Sequence, residues 1–262
     1  MPRFSINVSF MLTDLPFLER FRAAAELGFA AVDVQFPYDH PAEAVARAAR
    51  SAEVEVVLIN LPAGDRAAGD LGIAALPGRE TEFRDGAARA LDYARALGTR
   101  RVNILAGRPP PDAAAERCRA VMAENLAYAA ALFAPEGITV MLEPVNGRDA
   151  PGFFLQTTED ALAVIELAGV ENLKVQFDLY HRQIMQGDLI PALERHLPQI
   201  AHIQFADTPG RHQPGSGEIN FERVFAAIDA LGFQGWVGAE YIPSGPLADS
   251  LAWFAPWRTR QG

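Results

Sequence analysis

Residues 137–146, GITVMLEPVN, decide how the chain is to be read. Gly137 closes a long helical pattern as a left-handed cap, and the apolar run after it has the length of a strand. That run ends on a carboxylate, Glu143. The same figure returns three times towards the C-terminus: LKVQFD ends at Asp178, AHIQF carries Gln204, and WVGAE ends at Glu240. In a closed parallel barrel the C-terminal ends of neighbouring strands lie side by side around one rim, so these four side chains would converge there. A carboxylate at the end of a buried strand is costly unless it is paired or meets a cation.

Working outward from this quartet, short β-rich runs alternate with longer helical patterns along the whole chain. The strands are read at Phe4–Val8, Ala31–Gln35, Val54–Asn60, Arg101–Leu105, Ile138–Glu143, Leu173–Asp178, Ala201–Phe205 and Trp236–Glu240. The clearest helical patterns, apolar at i, i+3, i+4 and i+7, are Asp14–Leu27, Glu80–Leu97, Ala113–Phe133 and Phe221–Leu231. An open doubly wound sheet needs a Gly-rich phosphate fingerprint after its first strand, and INVSFMLTDL stands there instead. The expected fold is therefore one α/β domain, residues 1–262, forming a single (β/α)8 TIM barrel, for which about 250 residues is typical. Two long connections, Leu61–Arg79 and Asp207–Asn220, follow strands and so belong to the C-terminal face, as candidate lids or substrate loops.

The charge balance excludes some functions. Lys and Arg number 23 against 33 Asp and Glu, a net charge of −10 that repels polyanions, so no nucleic-acid partner is expected. The single cysteine, Cys118, sits in a helical stretch and forms no internal disulfide. Neither a signal-peptide pattern nor a run of about 18 apolar residues occurs, so a cytoplasmic protein with no membrane partner is expected.

Three carboxylates and one amide oxygen make a hard donor set, suited to one divalent ion, Mg²⁺ or Mn²⁺, rather than Zn²⁺. The motifs MLEPVN, QFDLYH, HIQFAD, GSGEINF and GAEY, in this order and spacing, resemble those of the hydroxypyruvate isomerase family, within the xylose isomerase-like barrel superfamily. The resemblance covers nearly the whole chain. It implies that Glu143, Asp178, Gln204 and Glu240 hold one divalent metal and that Glu143 and Glu240 are the acid/base pair. It also implies a small sugar-acid substrate, a 2-oxo-3-hydroxy acid of three or four carbons: hydroxypyruvate with tartronate semialdehyde, or the 2-oxo and 3-oxo tetronates. Such a reaction moves a proton between carbons flanking a carbonyl through an enediolate-like transition state, which two glutamates and a Lewis acid suit.

His181, three residues past Asp178, is placed at the site by the same resemblance, to hydrogen-bond a substrate oxygen or to bind through Nε2. His202 shares a strand face with Gln204, as a substrate contact or as support from inside the barrel. A substrate carboxylate suits a guanidinium fork; Arg66, Arg79, Arg108 and Arg211 lie in C-terminal loops, with Arg211 preferred. Glu218 either pins the second loop or starts the helix at Phe221. Asn7, Asn60 and Asn103 stand near strand ends, and Asn103 joins the substrate-binding set. Phe10, Phe36 and Tyr241 are candidate pocket walls. A ketose 3-epimerase or inosose dehydratase is the first alternative, although those relatives often carry His where Gln204 stands. An abasic-site endonuclease fits poorly with five histidines and the acidic charge, and a barrel without turnover is a distant third. A homo-oligomer is compatible with the sequence.

Overall fold

A computed structural model describes residues 1–258, and its eight strands close into one parallel barrel in sequence order. The strands are β1 Arg3–Asn7, β2 Ala31–Val34, β3 Glu55–Asn60, β4 Arg101–Ile104, β5 Thr139–Leu142, β6 Leu173–Asp178, β7 Ile200–Phe205 and β8 Trp236–Ala239. Each begins within one residue of its sequence-read start. The barrel shuts where β1 pairs with β8, Ile6 opposite Ala239, so Asn7 and Glu240 follow side by side.

Nine helices are described: α1 Arg20–Glu26, α2 Ala42–Ser51, α3 Glu80–Leu97, α4 Ala115–Phe133, α5 Thr158–Ala168, α6 Leu179–Met185, α7 Leu189–His196, α8 Phe221–Ala230 and α9 Leu247–Ser250. The pattern read at 14–27 is shorter than expected as a helix, because Pro16 precedes a 3-10 turn at Phe17–Glu19 before α1 begins. Strands packed by helices outside and side chains inside bury both faces, and so read as near-continuous apolar runs. In β5, Val140 and Leu142 join the core under the helices, while Met141 is equally buried on the opposite face. Phe4 on β1 meets Phe205, Phe225 and Trp253 edge-on, sealing the last strands against α8 and the C-terminal turns. Cys118 is buried within α4. No described helix is long and apolar enough to cross a membrane.

The register sets the site. Gln176 pairs with His202, and Asp178 with Gln204, which in turn pairs with Gly238. Gly238 leaves room below Glu240, since a Cβ there would collide with the Asp33 carboxylate and lie 3.0 Å from His202 Nε2.

Candidate active site

Of the four strand-end residues, Glu143 and Glu240 line a cavity of about 250 Å³ at the C-terminal mouth, with His181 and Arg211, while Asp178 and Gln204 lie outside its wall. The carboxylates are nearly sealed: Glu143 is 5% exposed, Asp178 3% and Glu240 1%. Asp178 divides its oxygens. Oδ1 caps α6, accepting the backbone N–H groups of Tyr180 at 2.7 Å and His181 at 3.2 Å. Oδ2 accepts no hydrogen bond from the described residues; His181 Nε2 stands 3.8 Å away and Arg211 Nη2 4.0 Å. Glu143 is placed likewise, with Asn103 donating to Oε2 at 2.9 Å and Oε1 left 3.9 Å from His181 Nε2.

Glu240 is heavily committed. Its Oε1 accepts from the amides of Asn7 at 2.6 Å, Gln35 at 2.8 Å and Gln204 at 3.1 Å, and its Oε2 pairs with Arg211 Nη2 at 2.5 Å. Burial raises both glutamates, and the neighbouring carboxylates add to it: Glu143 stands well above the usual carboxylate range, and Glu240 is pushed up to about 7 despite Arg211 pulling it down.

Glu143, Asp178 and His181 offer ligand atoms all within 4.8 Å of one another, a possible metal-binding triad. Two buried carboxylate oxygens that face the same space and accept no hydrogen bond are a cradle for a cation. The residues present thus fit a divalent ion.

His181 is tied by its neighbours. Asn146 Oδ1 accepts the N–H groups of Arg148 and Asp149, which turns its Nδ2 towards His181 Nδ1 at 2.6 Å, and the Asn146 backbone N–H donates to the same nitrogen at 3.3 Å. Nδ1 therefore accepts, and the ring hydrogen belongs on Nε2, facing the two carboxylates. Burial lowers His181 to about 4, so the ring is neutral. A neutral ring with its hydrogen on Nε2 donates to an oxygen; to ligate a cation through that atom it must give that hydrogen up.

A family model described as xylose isomerase-like TIM barrel matches residues 21–257. The 2-oxo-tetronate isomerase of Cupriavidus necator is 46% identical over 99% of this chain and 100% of its own length; the hydroxypyruvate isomerase of Escherichia coli is 45% identical over 98% and 100%. The chain belongs to the hydroxypyruvate and 2-oxo-tetronate isomerase family of xylose isomerase-like barrels. A crystal structure from Brucella melitensis, described as an AP endonuclease of family 2, superposes with a TM-score of 0.96 at 44% identity, covering 98% of this chain and all of that one.

Within this isomerase-family chain some sequence-read residues lie off the cavity. His202 does not reach it: the ring is fully buried with Nε2 3.0 Å from Asp33 Oδ2, beneath the site. Asn103 lies behind Glu143, 3.3 Å from Asn60 Oδ1, and holds the acid rather than lining the cavity. Gln204 is also off the wall, bridging Gln176 and Glu240 by its amide. Tyr241 turns into the core, where its hydroxyl donates to Ser250 O at 3.0 Å, whereas Phe10 and Phe36 do line the cavity.

Glu218 neither pins its loop nor caps a helix: it accepts from Gln183 at 3.2 Å, and Asn220 caps α8. The pin is Asp207, which the sequence reading passed over. Its buried carboxylate accepts four backbone N–H groups, of Thr208, Gly215, Gly217 and Ile219, at 2.9–3.0 Å. That knot holds the loop bearing Arg211, itself left-handed at φ 57°. Asp207→Ala leaves buried donors without a partner, and a loss of roughly 3 kcal/mol is expected. At this chain length that lowers the melting temperature by about 6–12 °C. Glu218→Ala should stay within about 0.5 kcal/mol. Calorimetry of both variants checks this, and equal shifts would remove Asp207 from its role.

Proposed function

We propose that this chain interconverts a small 2-oxo-3-hydroxy acid with its 2-hydroxy-3-oxo isomer, hydroxypyruvate with tartronate semialdehyde or 2-oxotetronate with 3-oxotetronate, with a divalent ion, Mg²⁺ or Mn²⁺, at the mouth of the barrel. The observation that carries it is the meeting of Glu143 and Glu240 on the wall of one small cavity beside the open oxygen of Asp178. The named relatives support the same reaction class.

Glu143, Asp178 and Glu240 would hold the ion; the Gln204 amide oxygen, expected as a fourth ligand, instead accepts from Gln176, and its NH2 steadies Glu240. When bound, it supplies Lewis-acid stabilisation of the charge that develops on two adjacent substrate oxygens. Everything else falls to the chain. Burial raises both carboxyls, Glu240 to about 7 and Glu143 well above the usual carboxylate range, which suits them to take up and release a proton beside the substrate. Arg211, 2.5 Å from Glu240, biases ionisation towards Glu240, which then takes the proton from the hydroxyl-bearing carbon; Glu143 assists its return to the neighbouring carbon, and the hydroxyl proton passes to the former carbonyl oxygen. His181 Nε2–H donates to a substrate oxygen and Arg211 orients another. Phe10, Phe36 and Phe153 keep the cavity apolar and dry around these groups.

A ketose 3-epimerase is the main rival, and the amide of Gln204 counts against it. An endonuclease is disfavoured by the net charge of −10. The test follows isomer formation and solvent-deuterium uptake with hydroxypyruvate, 2-oxotetronate and free ketohexoses, using chelator-treated and Mn²⁺-loaded protein. Cation-dependent turnover of one or both acids is expected. Equal rates without the ion, or turnover of ketohexoses alone, would overturn the proposal.

A further inference from the structure

We propose that Arg66 anchors the substrate carboxylate and thereby selects sugar acids over uncharged sugars. This rests on the isomerase reading above and assigns the task to a residue of the loop after β3 in place of Arg211.

Of the arginines in the loops at the barrel mouth, only Arg66 and Arg211 line the cavity among the described residues; Arg79, Arg108 and Arg148 do not. Arg79 forks onto Glu82, with its Nη1 2.8 Å from Asp70. Arg108 lies off the cavity wall and reaches only Gly69 O, at 3.4 Å. Arg211 lines the cavity, but its charge is matched by Glu240 at 2.5 Å and Asp178 at 4.0 Å. Arg66 also lines the cavity, and its guanidinium makes no hydrogen bond or ion pair to any described residue, only its backbone carbonyl being engaged, by Gly69 N–H. An uncommitted guanidinium in the wall of a site for a carboxylate substrate has the charge and the forked donor geometry to bind it.

Its position is built. The guanidinium carbon lies 4.4 Å from the ring centre of Phe36, and stacking on a ring leaves the N–H edges free. Phe36 follows Gln35, whose amide reaches Glu240, so the arginine and the acid cluster are set by adjacent residues at the end of β2. Arg66 opens a 3-10 turn, Arg66–Ala68, capped by Asp65, whose Oδ1 accepts Ala67 N at 3.0 Å and Ala68 N at 3.1 Å. Asp70 Oδ2 ties the turn back, accepting Asp65 N at 2.7 Å, and the space beside it is kept by Gly64, where φ is 87° and a Cβ would strike that carboxylate. Gly72 then bridges to Ala106. The loop is thus fastened on both sides of the arginine, which costs little further ordering when a ligand arrives.

The experiment measures KM and kcat for hydroxypyruvate and the dissociation constant of D-glycerate, an unreactive acid, in the Mn²⁺-loaded protein and in Arg66→Gln, Arg66→Lys and Arg108→Gln. A lost charge-assisted contact raises KM and the glycerate constant by about 10- to 150-fold in Arg66→Gln, with kcat within about threefold. Arg66→Lys, which keeps the charge without the fork, falls between, and Arg108→Gln stays within twofold. Unchanged KM and glycerate binding in Arg66→Gln, or a fall in kcat at constant KM, overturns the anchoring role. The two arms separate the two readings: a wild-type chain that binds glycerate but turns over neither hydroxypyruvate nor 2-oxotetronate sinks the isomerase proposal, whereas active wild type with unaltered Arg66 variants sinks this inference alone.

Discussion

Glu240→Gln is expected to lower kcat by about 10²- to 10⁴-fold and to weaken cation binding less than Glu143→Gln, which loses both. The two carboxyls are equally buried, but they are held differently. Three amides converge on Glu240 Oε1, and a glutamine oxygen accepts those same bonds, so that side of the local structure survives while Arg211 loses its acceptor. What disappears is the ionisable oxygen beside Arg211. At Glu143 only one oxygen is hydrogen-bonded, to Asn103; the other is one of the two open oxygens of the cation cradle. An amide there removes one of the negative charges that a divalent ion requires in a site this dry. Steady-state kinetics with Mn²⁺ titration calorimetry of both variants gives the answer. Turnover within tenfold of wild type in Glu240→Gln removes that residue from proton transfer.

Much of this site was legible because its chemistry is encoded at strand ends. Glu143, Asp178 and Glu240 each close a buried apolar run, and the βα alternation carries them to one rim. Their supporting contacts were not legible, since each depends on a pairing across the closed barrel. Asn7 meets Glu240 across the seam between β1 and β8, and His202 meets Asp33 across the interior. Gln35 ends the second strand in the same manner as the acids, so the strand-end rule that found Glu240 also points to its amide donor. Asp207 was hidden for another reason. Its four partners are backbone N–H groups, and a loop rich in Gly and Pro shows in sequence that it turns, but not which side chain it turns around. The loop arginines show the same limit: Arg66 and Arg79 read alike until Asp70 and Glu82 are seen to neutralise one and leave the other free.

Removing the cation is expected to invert how stability responds to pH. Without it, the folded chain holds protons on Glu143 and Glu240 that the unfolded chain releases near 4.5, because burial and the crowding of carboxylates disfavour their charged forms. A group whose pKa is higher folded than unfolded stabilises the fold below the unfolded value, and that stability drains away as pH rises through the folded one. For Glu240 the window runs from 4.5 to about 7, and its loss is on the order of 3 kcal/mol. Chelator-treated protein should therefore melt lower at pH 8 than at pH 5.5. A divalent ion binds the ionised carboxylates, so its affinity rises over the same window as protons leave. At 100 times its dissociation constant it adds about 2.7 kcal/mol. The increase in melting temperature on adding Mn²⁺ is thus expected to be large at pH 8 and small at pH 5.5. Scanning calorimetry at the two pH values measures both arms. An equal Mn²⁺ shift at each pH would mean that these carboxyls are not what the ion displaces protons from, and the cation would then belong elsewhere on the barrel.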